Sequence, residues 1–382
     1  MERQLATIQK CGSLRPIEGA DKIEVATVLG WECVIKKGEF KEGDLGVYIE
    51  IDSIVPDTPF FSFLKDKKFR VRTIRLRGQI SQGLFLPLVS FKELGKISVK
   101  EGMDVTDKLG ITKYDPPEVV EQRFMSPKKK PWWFQFAVRI PLLRKLLFRK
   151  VGEGIAFPTH LVPKTDETRL QSFGASFLET YKDLPISITQ KMDGSSLTII
   201  WHKNKLSVAS RNVWFPTKKK NVYWDIVEQT GLEKTLRHYF RGVSVAFQGE
   251  LCGPSIQGNK YKFDKPHLFI FGGYFIRTQE YIKPVQLNNL VYTLVYFGNS
   301  DQLHHVPLLI SPGEGKTISD IGLTIDDWIK YATTKSDLNG ESWNEGIVVR
   351  SLDNEPFGVA KMSGKRFSFK VINPEFLLQY GL

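Results

Sequence analysis

Short β-prone runs separated by turn residues recur along most of this chain, and that rhythm restricts the fold more than any other feature. Between residues 1 and about 110 the runs "IEVATVLGWECVI", "LGVYIEIDSIV" and "RVRTIRLRGQISQGLFLPL" alternate with segments such as "KKGEFKEGD". Branched and aromatic residues favour strands, and glycine and aspartate between them favour reversals. This spacing predicts a small antiparallel barrel over residues 1–112. From about residue 157 the runs return as "PISITQ", "SLTIIWH", "LSVASR", "VSVAFQGEL", "LFIFGGYFI", "GIVVRS" and "FSFKVI", with helical stretches near 224–240 and 325–333. The fold class expected is therefore α+β: a barrel followed, over residues 157–382, by a domain of antiparallel sheets with flanking helices. A length of 382 residues supports two domains.

Residues 113–156 interrupt the pattern. Pro116 and Pro117 mark a linker, and the segment 123–150 holds nine basic residues and no acidic one, interleaved with Trp132, Trp133, Phe134, Phe136 and Phe148. It is too short and too charged to span a bilayer. Three readings stay open: an arm that grips a nucleic-acid backbone and stacks bases, a segment lying on an anionic membrane surface, or a tether.

Lysine and arginine outnumber aspartate and glutamate by 54 to 42, a net charge of +12 that argues for a polyanionic partner. Arg70, Arg72, Arg75 and Arg77 place four arginines in eight residues of the barrel. They are expected to form either a phosphate-tracking, RNA-binding face or a solvated edge strand guarded by charge. Three scattered cysteines, Cys11, Cys33 and Cys252, form no disulfide framework and no C-x-x-C zinc pair. With no apolar leader and no long apolar run, the expectation is a soluble protein of the cytoplasm or nucleus.

Chemistry concentrates where polar residues end the later β-runs. In "ISITQKMDGSSLTIIW", Lys191 stands between two apolar runs with Asp193 close by across a glycine turn. Similar positions are held by Ser196, Arg211, Glu250, Glu345, Lys361 and Lys370, in the phrases "KMDGSS", "SRN", "FQGELCG", "NEGIVVR" and "FSFKVIN". Carboxylates and cations at strand ends can converge on a phosphate-rich ligand with a divalent ion between them.

Taken in order, these phrases resemble motifs I, Ia, III, IV and V of the covalent nucleotidyltransferases, the polynucleotide ligases and messenger-RNA capping enzymes, and "LFIFGGYFI" resembles motif IIIa. Ser196 stands where DNA ligases and capping enzymes usually carry arginine. "QGELCGPSIQGNKY" and the lead-in "VPKTDETRLQSF" are similar to the nick-sealing RNA ligases. A barrel placed at the N-terminus rather than after motif V is similar to the Deinococcus and Naegleria type, whose barrel is an OB domain.

The resemblance implies an ATP-dependent RNA ligase that joins a 3′-hydroxyl to a 5′-phosphate at a nick or aligned break on a bridging strand. It implies catalytic roles for Lys191, Asp193, Glu345 and Lys370, and nucleotide contacts from Gln190, Ser196, Arg211, Glu250, Phe271 and Lys361, with Phe269 the alternative to Phe271 for stacking on adenine. Asp193, Glu250 and Glu345 would hold Mg2+ or Mn2+. Motif V reads Ser368, Phe369, Lys370 in place of the frequent K-x-K, which leaves Lys361, Lys365 or Arg366 to supply a second cation. No protein partner is expected. Two alternatives remain: an RNA-binding protein on a non-catalytic ligase scaffold, and a capping-type guanylyltransferase.

Overall fold

A computed structural model describes residues 4–95, 98–114, 155–174, 176–353 and 366–382. The N-terminal unit is built from small antiparallel sheets. Ala6–Lys10, Leu45–Ile49 and Leu84–Pro87 form one, and Leu14–Pro16, Ile23–Val28 and Trp31–Lys36 form another. A hairpin, Thr73–Leu76 with Gln79–Gln82, and a long-range antiparallel pair, Ser53–Ile54 with Thr112–Lys113, complete it. Alternation along Trp31–Lys36 turns Trp31, Cys33 and Ile35 inward, where they meet Tyr48, Phe85 and Val47. The expected barrel is thus present as curved sheets around one core; no closed, continuously hydrogen-bonded barrel is seen among the described residues.

The second unit holds two larger sheets. The first runs Ile155–Ala156, Val213–Phe215, Lys205–Ala209, Ser195–His202, Val245–Cys252, His267–Phe275 and Glu280–Tyr281, with Leu303–His305 added in parallel beside His267–Phe275. Its outer face packs on helices Val222–Gln229, Leu232–Tyr239 and Pro284–Gly298 through Leu197, Trp201, Tyr223, Leu236, Phe247 and Val291. The second sheet runs Thr168–Arg169, Ser368–Ile372, Gly346–Ser351, Ile186–Lys191 and Leu308–Ile310, and buries Ile186, Ile188, Val349 and Phe369 against Trp328 of helix Ile325–Ala332. A capping box between Thr324 and Asp327 starts that helix.

Lys191 is the last residue of a strand in the second sheet, and Ser195 begins a strand of the first. The turn between them carries the chain from one sheet to the other, so the site residues gather at the junction of the sheets. Gly194 is required there: a Cβ would sit 2.4 Å from the Leu251 carbonyl oxygen.

The two units share a core. Ile372 and the residues Phe376 and Leu377 of helix Pro374–Tyr380 pack into the N-terminal cluster with Trp31 and Tyr48. Polar ties reinforce the junction. Asp52 accepts from Arg70 at 2.6 Å and from Arg169 at 2.8 Å, with both arginines buried.

Candidate active site

A cleft between the two sheets is lined by Thr165, Asp166, Glu167, Thr189, Gln190, Lys191, Ser195, Ser196, Arg211, Glu250, Phe271, Val348, Arg350 and Lys370, with about 200 Å³ of space for water-sized groups. Its floor is the end of strand Ile186–Lys191. The Lys191 amine donates to Glu345 Oε1 at 2.6 Å, with the lysine side chain 26% exposed and the glutamate 15%. Glu345 is aimed by its neighbours. Its carbonyl accepts from the Asn373 N–H at 2.9 Å, and Gly346, which pairs with Lys191, has φ +146° and no room for a Cβ, which would lie 2.1 Å from the Val371 oxygen.

Asp193 is held by two groups that sequence reasoning missed. Its N–H donates to the Tyr261 hydroxyl at 2.9 Å, and its carboxylate receives the Lys260 ammonium. Lys260 itself is fixed through its carbonyl, which accepts from Asn339 and Ser342, and its charge lies 4.7 Å from the Tyr380 ring. On the neighbouring strands Glu250 sits directly across from Ser196.

The electrostatics of this cluster follow from burying three carboxylates near one amine. Burial pushes the Glu250 carboxyl up to about 8; Lys191 opposes this, and Glu345 and Asp193 add to it. Asp193 is likewise pushed up to about 6 by burial and by Glu345, against the pull of Lys260. Burial alone would favour neutral Lys191, but Glu345, Glu250 and Asp193 outweigh it and hold the amine above its ordinary range. Three carboxylates thus crowd Lys191, and burial with their mutual repulsion favours a proton on Glu250. Glu345 Oε2 and both polar ends of the Gln190 side chain, itself 1% exposed, are buried with no hydrogen-bond partner among the described residues. Unpaired buried groups of this kind cost about 1–3 kcal/mol each and mark places where a ligand or ion can pair.

An OB-fold domain model matches residues 5–88, and an RNA ligase model matches residues 184–372. Among solved structures, Naegleria gruberi RNA ligase with pyrophosphate is 34% identical over 98% of each chain, with a TM-score of 0.76. The chain belongs to the RNA ligase family. Substituted forms of the Naegleria gruberi ligase with ATP and manganese (33% identity, TM-score 0.75) and with AMP and manganese (34%, 0.74) also match over 98% of each chain. A comparison with curated proteins found no match.

Of the residues expected from sequence, the ligase brings Gln190, Lys191, Ser196, Arg211, Glu250, Phe271 and Lys370 to the cleft wall, with Glu345 and Asp193 bonded behind it. Phe271 rather than Phe269 faces the cleft for a physical reason. Gly249 pairs with Ile270 but Gln248 pairs with Gly272, a bulge that leaves Phe271 out of register, while Phe269 stays 3% exposed and stacks on His304. Lys361 and Lys365, and the arm at 123–150, lie outside the described residues. Arg366 is already engaged: it donates to Glu167, a cleft residue, at 3.1 Å and lies over the Tyr281 ring.

The three carboxylates Asp193, Glu250 and Glu345 act on one another through their charges, though no group of three metal-ligating side chains stands at ligand spacing among the described residues. The four arginines do not share one face. Arg70 is buried in its ion pair with Asp52 beneath the Tyr114 ring, and Arg72 precedes the strand with a buried Nε. Arg75 reaches Glu375 at 2.5 Å, and Arg77 lies at a turn with φ 49°. Arg70 thus serves the junction of the two units, while Arg75 and Arg77 stay exposed.

Among the described residues no helix is long and apolar enough to cross a membrane.

Proposed function

We propose that this ligase uses ATP to join an RNA 3′-hydroxyl to a 5′-phosphate at a nick or aligned break, through a lysyl-AMP and an RNA-adenylate. The observation that carries this reading is Lys191 bonded to Glu345 at the foot of a cleft that also holds an unpartnered buried carboxamide and the cations Arg211 and Lys370. A carboxamide can pair with adenine as donor and acceptor at once, as Asn and Gln do with adenine in nucleic-acid recognition. Gln190 would read the base, Phe271 would stack on it, and Lys370 with Arg211 would meet the phosphates.

In the first step the neutral Lys191 amine bonds to the α-phosphorus of ATP, the bond to the β-phosphate oxygen breaks, and pyrophosphate leaves. The amine must first lose a proton, and Glu345 at 2.6 Å is placed to receive it. An RNA 5′-phosphate oxygen then takes the AMP and frees the lysine. In the last step the 3′-hydroxyl attacks the 5′-phosphorus, and AMP departs. The residues fit Mg2+ or Mn2+ as a hydrated ion reached through water: Glu345 Oε2 is unpartnered, and burial among like charges makes Glu250 hold a proton that a cation would displace. Such an ion would neutralise charge developing on the α-phosphate.

The test is incubation of the full chain with ATP or GTP labelled at the α-phosphate, with Mg2+ or Mn2+, followed by denaturing electrophoresis. ATP should label the wild type through an acid-labile bond, and Lys191→Ala should show no label. Labelling by GTP alone would transfer the protein to the capping reading, and no labelling with RNA binding intact would leave a non-catalytic scaffold. We place its working site in the cytoplasm or nucleus, where RNA ends and ATP meet.

A further inference from the structure

One stretch of backbone borders the cleft and then enters the N-terminal unit. Thr165, Asp166 and Glu167 line the cleft. Thr168 and Arg169 then pair in parallel with Phe369 and Lys370. Beyond them the Gln171 carbonyl accepts from the Gly30 N–H at 3.0 Å, and the Ser172 hydroxyl donates to Glu50 at 3.0 Å.

Asp166 stands where this strap leaves the cleft, among three cations drawn from three parts of the chain. Its Oδ2 accepts from Lys113 of the N-terminal unit at 2.7 Å and lies 3.8 Å from Arg211; its Oδ1 faces Lys370 at 3.3 Å. Burial works against the charge on Asp166, yet Lys370, Lys113 and Arg211 hold its carboxyl far below the usual carboxylate range.

The three contacts are unequal. Charge-assisted N–H···O pairs close at about 2.7–2.9 Å, so the bond to Lys113 is fully formed, while those to Lys370 and Arg211 are loose. Both of these cations line the cleft beside Lys191. They are also the two that the ligase reading assigns to phosphate, and the inference rests on that reading. A carboxylate centred among them lies where a phosphate oxygen would compete for the same donors. We infer that Asp166 is a displaceable counter-ion, holding Lys370 and Arg211 in place until a phosphate group takes them and keeping its bond to Lys113 when it does.

The arrangement has a functional consequence. Clustered cations repel one another, and an acid between them holds them together at a cost to phosphate affinity. Only a ligand with more charge or more oxygens than a carboxylate can take them over, which favours phosphorylated ligands over neutral ones. The phosphate could come from the nucleotide or from the RNA 5′ end, and two probes separate these sources.

Full-length wild type, Asp166→Asn and Asp166→Glu are titrated calorimetrically with magnesium pyrophosphate, and separately with an oligoribonucleotide bearing either a 5′-phosphate or a 5′-hydroxyl. Removing a competitor that forms two partly exposed ion pairs should tighten binding by about threefold to thirtyfold in Asp166→Asn. Asp166→Glu, which keeps the charge, should stay within about twofold of wild type on the same reasoning. A gain confined to pyrophosphate assigns the displacement to the nucleotide; a gain confined to the phosphorylated RNA assigns it to the 5′ end. Unchanged or weaker binding of both probes by Asp166→Asn overturns the counter-ion role and makes Asp166 a plain positioning residue. Asp166→Ser carries the same test if the amide variant fails to fold. ATP labelling of the wild type checks the ligase reading separately: a chain that labels but shows no gain in Asp166→Asn loses the counter-ion, and a chain that gains without labelling loses the ligase reading.

Discussion

Glu250→Gln should stabilise the nucleotide-free protein, and by an amount that grows with pH. Glutamine keeps the size of the side chain and removes its charge. In the folded chain the Glu250 carboxyl is pushed from 4.5 to about 8, first by burial and then by Glu345 and Asp193 against Lys191. A carboxyl that binds its proton more tightly when folded gives full stability below 4.5, and that contribution is lost as pH rises through about 8. From 4.5 to about 8, at about 1.4 kcal/mol per pH unit, the loss is bounded at about 5 kcal/mol. Relaxation and water entry bring effective dielectrics toward about 20 and cut such values substantially, so about 2–3 kcal/mol is the working figure. At pH 5 the variant and wild type should melt together. At pH 8.5, at about 2–4 °C for each kcal/mol, the variant should melt higher by about 4–12 °C.

The assay is thermal unfolding at pH 5, 7 and 8.5 with chelator present. Added Mn2+ should raise the wild type at pH 8.5 and leave the variant nearly unmoved, because the cation offsets the charge that glutamine has already removed. Adenylylation by the variant should fall by about a hundredfold or more, the usual scale for losing a preorganised charge. A melting gain that is absent at pH 8.5, or equal at every pH, would show that Glu250 is neither strained nor charged in the way its surroundings dictate. The expected pattern is a functional site that costs stability to hold.

Phe271→Ala should raise the KM for ATP by about tenfold with a smaller change in kcat, since base stacking on an aromatic contributes about 1–3 kcal/mol; an unchanged KM would place adenine elsewhere. Lys260→Met keeps the stem packed near Phe376 and Tyr380 but removes the cation from Asp193, whose carboxyl should rise further, so the acid limb of the adenylylation pH profile should move to higher pH. An unmoved profile would exclude Lys260 from the site. Asp52→Asn takes away the carboxylate shared by buried Arg70 and Arg169 and should cost about 3–5 kcal/mol in denaturant unfolding; a loss below about 0.5 kcal/mol would mean that the two guanidinium groups are satisfied by other partners.

The nucleophile and its carboxylates were legible in sequence because each interrupts or borders an apolar β-run, where a polar residue stands out. Lys191 ends its strand, Glu345 directly precedes one, and Glu250 and Lys370 stand within theirs. Lys260 and Asp166 were not, because they lie in irregular segments where a charged residue is ordinary. Their contacts with Asp193 and with Lys370 reveal their place. Helix Pro284–Gly298 was missed for another reason. Its sequence "PVQLNNLVYTLVYFG" holds no charge and is rich in Val, Tyr and Phe, so local preference points to a strand. Packing of Leu287, Val291 and Leu294 on the first large sheet decides for helix. The arginine cluster was legible only in part because sequence shows charge but not burial: "RVRTIRLR" reads as a basic face, while its first arginine is inside an ion pair and its last two are exposed.

The same burial changes how the two units must work together. Sequence alone suggests that chemistry and substrate grip could be divided between an adenylylating domain and a separable barrel. The structure argues against a clean division. Phe376 and Leu377, which follow motif V directly, are part of the N-terminal core. Lys370, the motif V cation, pairs in register with Arg169, whose guanidinium is bound to Asp52 of the N-terminal unit. A displacement of the N-terminal unit would therefore be felt at motif V through one backbone pairing and one buried ion pair, with the cleft cation at the end of that path. Lys113 adds a second path through Asp166. The N-terminal unit is better understood as one wall supporting the phosphate end of the cleft than as a detachable grip.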